Sequence, residues 1–164
     1  MIFVTVGTAD KGVDFTRLVR EMDRIAGRID ADVLIQRGPV DYEPRNARHV
    51  RYVKFNEALR LFREADLIVG HCGAGTVINA FRFCKPMIIV PRRIDAGELD
   101  KDDHQVQLAE KIEGMDGVRV VHEIERLEEA VREFLAGAFA SPHPSPEKTC
   151  LMAAIREFLA SPRK

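Results

Sequence analysis

Six short apolar segments separated by stretches with helical spacing constrain the fold more than any other feature of the chain. They span residues 2–6, 32–36, 50–55, 67–70, 87–90 and 118–121 and are rich in Val, Ile, Leu or Phe, as strands require. Between most of them apolar residues recur at helical intervals. Phe15, Leu18, Val19, Met22 and Ile25, for example, follow an Asp14 placed to cap a helix start. Strands that alternate with helices build parallel sheets joined by crossovers. Leu67-Ile68-Val69 and Met87-Ile88-Ile89-Val90 are apolar at consecutive positions, the pattern of central strands covered on both faces. The expected fold is therefore α/β, a Rossmann-like parallel sheet with helices on both faces.

With 164 residues, 46% of them hydrophobic, the chain can bury a core without metal or disulfide staples. The domain is expected over residues 1–140. Residues 141–164 begin with a stiff connector carrying Pro142, Pro144 and Pro146. An amphipathic helix over 148–159 follows, whose Leu151, Ile155, Phe158 and Leu159 stripe must be buried on the same domain or on a partner. The 25 basic residues nearly balance 26 acidic ones, so there is no excess positive field to hold nucleic acid or an anionic membrane. Cys72, Cys84 and Cys150 are odd in number, far apart and without a CxxC pair, which argues against a disulfide framework or a zinc site and for a reducing cytoplasm. The first apolar run stops at Gly7, too short for a signal peptide or a spanning helix. Any membrane role is expected to run through a partner.

In doubly wound sheets ligands collect outside the carboxyl ends of the strands, so the loops leaving strands carry the functional information. The first, Gly7-Thr8-Ala9-Asp10-Lys11-Gly12, offers a glycine for close backbone approach and the Thr8 hydroxyl. It lacks both GxGxxG and the P-loop lysine, and a plain turn accounts for it equally well. The second, Gly70-His71-Cys72-Gly73-Ala74-Gly75-Thr76, runs into a helix expected over 77–83, whose free N–H groups could cradle a diphosphate or ribose. Its three glycines are hard to explain by turn chemistry alone. The third is a long polar loop over 91–105 that closes with Asp102-Asp103-His104-Gln105 at a helix start. Gln105 has an amide able to donate to and accept from sugar hydroxyls, while Asp102 or Asp103 could cap the helix.

Other residues near these loops have plainer explanations. His71 closes an apolar strand, where histidine is more often a hydrogen-bonded structural group than a base. His104 with Asp102 and Asp103 suggests no metal, because adjacent residues rarely converge on one ion. Cys72 is better read as a small buried hydrophobe than as a nucleophile. Arg92 and Arg93 could meet phosphate or an acidic partner, but a solvated charged loop explains them equally well.

Taken in order, Phe3-Val4-Thr5-Val6-Gly7-Thr8, His71-Cys72-Gly73-Ala74-Gly75-Thr76, Lys85-Pro86-Met87-Ile88-Ile89-Val90-Pro91 and Asp103-His104-Gln105 resemble the C-terminal half of glycosyltransferase family 28. The resemblance covers roughly residues 1–135. It extends to the small soluble subunits of two-chain UDP-N-acetylglucosamine transferases of dolichol-linked glycan synthesis and to their bacterial exopolysaccharide relatives. It implies the C-terminal half of a GT-B enzyme that binds the UDP-sugar and transfers its sugar, N-acetylglucosamine foremost, to a lipid-linked or polysaccharide acceptor. A membrane-attached partner would hold that acceptor and recruit this cytoplasmic chain to the membrane face. In isolation the chain could also self-associate.

The same resemblance places Gly7 and Thr8 by the phosphates, Gly73, Ala74, Gly75 and Thr76 against the nucleotide, and Gln105 on the sugar ring. His71, in the same loop, joins the binding set. No metal or other cofactor is implied, since helix N-termini and hydrogen bonds can stabilise the departing UDP. Where the family carries a glutamate for the ribose diol, three residues after Thr76, this chain has Asn79, which keeps a carbonyl acceptor but loses the charge-assisted bond. No residue reads as the general base, and the partner is its natural source. Two other readings stay open: a non-catalytic nucleotide-binding or scaffold module, and a sugar-nucleotide enzyme that needs no partner.

Overall fold

The structure, a computed structural model, describes residues 1–8, 14–94, 97–98 and 104–139. The expectations for residues 9–12, Asp102, Asp103, the proline connector, the 148–159 helix and Cys150 lie outside the described residues. Six strands form one sheet: β1 Ile2–Thr5, β2 Val33–Gln36, β3 Arg48–Val50, β4 Leu67–Gly70, β5 Met87–Ile89 and β6 Val118–Val120. All neighbours are parallel and their order is 3-2-1-4-5-6. The helices are α1 Thr16–Ala26, α2 Phe55–Glu64, α3 Ala74–Arg82, α4 His104–Ile112 and α5 Leu127–Leu135, the last preceded by a 3-10 turn at Ile124–Arg126.

Alternation along each central strand sends side chains to two separate cores. Val4, Leu67, Val69 and Ile88 pack with Leu18 and Met22 of α1 and Leu127 and Val131 of α5. Phe3, Ile68, Met87 and Ile89 pack on the other face with Phe62 of α2, Val77 and Phe81 of α3, and Leu108 of α4. Phe3 and Phe62 meet edge to face with centroids 5.4 Å apart. Each fully buried large side chain contributes about 1.5–3 kcal/mol, so burial on both faces explains why residues 67–69 and 87–89 are apolar at consecutive positions.

Three local expectations are corrected. The third strand is Arg48–Val50, not 50–55. It pairs Leu34 with Arg48, Ile35 with His49 and Gln36 with Val50, and Phe55 already opens α2 and is 72% exposed. Helix α3 starts at Ala74 with Gly73 as N-cap, three residues before the expected 77, so Gly75 and Thr76 belong to its first turn. Asp14 does serve the start of α1, but from outside the cap position: its Oδ1 accepts from the Thr16 N–H at 2.8 Å, and Phe15 is the N-cap.

No helix joins β2 to β3, and residues 37–47 are irregular. This stretch is held by Asp23 of α1, which is only 2% exposed. One carboxylate oxygen accepts the N–H groups of Arg45, Asn46 and Ala47 at 2.9, 2.7 and 3.1 Å, and the other accepts the Tyr42 hydroxyl at 2.7 Å. A buried carboxylate is tolerable only with such satisfaction. No described helix is long and apolar enough to cross a membrane.

Candidate functional site

The strand order reverses direction between β1 and β4, and it is outside the carboxyl ends of strands at such a switch point that doubly wound sheets bind ligands. Gly7 and Thr8 leave β1 there, and residues 70–76 leave β4 beside them. The two loops meet on the ring of His71. A β-carbon built on Gly7 would lie 2.6 Å from His71 Cε1, and one built on Gly73 only 2.3 Å from Nε2. Both positions must therefore be glycine for the imidazole to stand between them. Gly7 also has φ +77°, a left-handed conformation that a β-carbon disfavours.

The start of the first loop is fixed by residues that sequence reasoning missed. Gly7 N–H donates to Thr5 Oγ1 at 3.0 Å, and Gln36 Nε2 donates to the Gly7 carbonyl at 2.9 Å and to the Arg51 carbonyl at 3.2 Å. Thr5 Oγ1 in turn donates to Gln36 Oε1 at 2.6 Å. The one signal for this cluster is Gln36 itself, a polar residue ending the apolar strand Val33–Gln36 and only 3% exposed. Since the Gly7 N–H is already spent on Thr5, what Gly7 offers a ligand is room for close approach.

In the second loop, Gly73 caps α3 without any side-chain hydrogen bond. The early N–H groups of a helix have no intrahelical acceptor, and the helix dipole makes that end attractive to anions. Ala74 and Gly75 lie at this end, partly or fully exposed. Thr76 is turned inward instead: it is 6% exposed, its N–H donates to the Gly73 carbonyl at 3.0 Å, and its methyl packs over Gly70. Asn79 Nδ2 donates to the Gly75 carbonyl at 2.8 Å, one helical turn back.

The third loop is tied to the first. Arg92 N–H donates to Gln105 Oε1 at 3.2 Å, and the Arg92 guanidinium donates to the Val6 carbonyl, one residue before Gly7. Gln105 thus stands at the start of α4 with its carbonyl end fixed, and no described group accepts from its NH2 end. Glu98, 4% exposed, pairs with Arg17 of α1 through both oxygens and also accepts the Arg93 N–H at 3.0 Å. Arg17 donates in addition to the Pro91 carbonyl at 2.8 Å. The solvated-loop reading of Arg92 is corrected here, because the residue is only 3% exposed.

Electrostatics follow from this packing. Burial, reinforced by the nearby Arg92 cation, pushes the His71 imidazole down to about 3, so the ring is neutral at physiological pH. The Thr5 backbone opposes this shift without reversing it. Burial pushes the Cys72 thiol up to about 12, leaving no thiolate for nucleophilic chemistry. Burial lowers Arg92 to about 10, against the pull of Glu98, and it remains a cation. The crevice therefore combines a neutral imidazole, an uncapped helix N-terminus, a buried positive charge and an amide, a set suited to an anionic, hydroxyl-rich ligand rather than to acid–base work.

A doubly wound domain with a crevice at its switch point is an architecture that binds ligands outside the carboxyl ends of its strands. The comparisons narrow the class. The glycosyltransferase family 28 C-terminal domain matches residues 1–151, and the chain belongs to this family. Curated protein sequences give no match.

Solved structures similar in fold include the glycotransferase of kitacinnamycin, with a TM-score of 0.62 and 20% identity over 96% of this chain and 38% of that one. The glycosyltransferase SnogD from Streptomyces nogalater gives 0.56 and 21% over 98% and 39%. ALG13 gives 0.63 and 17% over 98% and 96%. The chain thus spans less than two fifths of the length of the first two and nearly the whole of ALG13. The fold is that of the C-terminal domain of GT-B glycosyltransferases.

Proposed function

We propose that the crevice between β1 and β4 binds the donor, a UDP-sugar with N-acetylglucosamine as the expected sugar, and that the chain is the donor half of a glycosyltransferase. The observation that carries this reading is the His71 ring held between Gly7 and Gly73 at the switch point, beside the uncapped start of α3. Gly7, Thr8, His71, Gly73, Ala74 and Gly75 line the phosphate side. Thr76 keeps α3 seated on β4, Asn79 is the candidate for the ribose, and the NH2 end of Gln105 is the group offered to the sugar.

In the transfer, an acceptor hydroxyl attacks the anomeric carbon, the bond to the β-phosphate oxygen breaks, and UDP leaves with the electron pair. Helix N–H groups stabilise that leaving charge without a metal. A base must take the hydroxyl proton, and an imidazole at about 3 is too weak for that near neutrality. A membrane-attached partner that holds the lipid-linked or polysaccharide acceptor is the proposed source of the base, and would bring this chain from the cytoplasm to the membrane face.

Calorimetric titration with UDP-N-acetylglucosamine, UDP-glucose and GDP-mannose tests the reading. UDP-selective binding is expected, and Gln105→Ala should weaken the UDP-sugar about tenfold while leaving UDP itself nearly unchanged. Binding of none of the three would overturn it. A non-catalytic nucleotide-binding module is the second reading, favoured by Asn79, whose amide is turned back onto its own helix. Transfer by the chain with its cognate partner would exclude that alternative.

A further inference from the structure

Arg92 is a buried cation that no described carboxylate neutralises directly. One Nη2–H donates to the Val6 carbonyl, the guanidinium carbon stands 5.1 Å from the centroid of the Phe15 ring, and Nε is buried without a partner among the described residues. Glu98 is the carboxylate whose charge acts on it, but both Glu98 oxygens are engaged by Arg17 and one also by the Arg93 N–H. Keeping an ion out of water costs several kcal/mol unless an opposite charge meets it. The place of this charge is specific. It lies under Val6, which leads directly into Gly7 and Thr8, and the Arg92 N–H holds Gln105. The positive field of the buried layer is therefore directed at the phosphate side of the crevice, where the neutral His71 supplies none.

We propose that Arg92 is a positioning residue that makes the crevice read the second phosphate of its ligand: it holds the loop leaving β1 and supplies from beneath it the fixed positive charge that favours a diphosphate over a monophosphate. The inference rests on the nucleotide-binding reading above and adds to it the part of the ligand that this residue selects. Its action runs through the loop and through the field, not through contact with the ligand.

The test is calorimetric titration of the whole chain with UDP and with UMP, comparing wild type with Arg92→Gln, which keeps a donor for Val6 and removes the charge. UDP affinity should fall about tenfold or more and UMP affinity by less than about threefold, contracting the ratio between them. Equal losses for the two nucleotides would reduce Arg92 to a structural clamp and overturn the proposal, as would an unchanged ratio. If Arg92→Gln does not fold, Arg92→Lys carries the test: the charge stays, so the UDP-to-UMP ratio must persist even where both affinities drop, and its contraction would sink the idea. Wild-type chain that binds neither nucleotide overturns the nucleotide reading itself, an outcome distinct from binding that ignores Arg92.

Discussion

The Nε2 of His71 lies where it does because Gly73 has no side chain: a β-carbon at Gly73 would sit 2.3 Å away. The tight fit turns a glycine into a test of the crevice. Gly73→Ala must push the ring aside or displace the start of α3, and either shift moves the groups facing the ligand. UDP affinity is expected to fall about tenfold or more, while stability changes by only about 1 kcal/mol, the scale of an N-cap substitution. Calorimetry and urea denaturation on the same sample separate the two, and an affinity within twofold of wild type would refute the role given to the ring.

His71 also sets an acid limb of stability. The folded pKa of about 3 lies below the ordinary 6.5, so below pH 6.5 the unfolded chain takes up a proton that the folded chain refuses. The stabilisation is fully present above 6.5 and is lost as pH falls toward 3, by about 1.4 kcal/mol per pH unit. His71→Gln removes the titrating group and should flatten the stability curve between pH 6.5 and 4.5, above the carboxylate range. Equally steep curves for both proteins would show that the imidazole is not what titrates.

Asp23 acts in a lower window. Burial raises its carboxyl, but the N–H groups of Arg45, Asn46 and Ala47 and the Tyr42 hydroxyl outweigh that and hold it below the usual 3.8. Its contribution is therefore present above 3.8 and lost as pH falls below it. At neutral pH Asp23→Ala should cost about 3 kcal/mol, through loss of a charged acceptor shared by four donors, with the gap to wild type closing toward pH 2. Hydrogen exchange should show the loss at Arg45, Asn46 and Ala47, and protection unchanged there would contradict the assignment.

How far the fold could be read in advance varied with the kind of signal. Continuous apolar runs gave β4 and β5 because residues 67–69 and 87–89 are buried on both faces, so each of them obeys the same rule. β3 was misplaced because its residues are half-exposed or exposed and its position is set by pairing with β2, a long-range choice that local composition does not report. In the site, the glycines at 7, 70 and 73 announced crowding that a β-carbon would break, while Gly75 stands in open space, and Gln105 announced an amide at a helix start. What went unread was the support beneath: Thr5 with Gln36, Arg17 with Glu98, and the burial of Arg92. Each depends on residues tens of positions apart, and an arginine in a polar loop looks the same whether it ends in solvent or under a strand.

The outermost strands of the described sheet are short, as is β5 beside one of them. β3 and β6 have three residues each, and each carries an arginine paired with an acid on a neighbouring segment, Arg48 with Asp32 and Arg119 with Glu133. Short, charged margins are poor templates for a further chain seeking main-chain hydrogen bonds. Concentrated solutions of this protein should accordingly resist fibril growth, and any assembly it enters should be built through side chains rather than by lengthening the sheet.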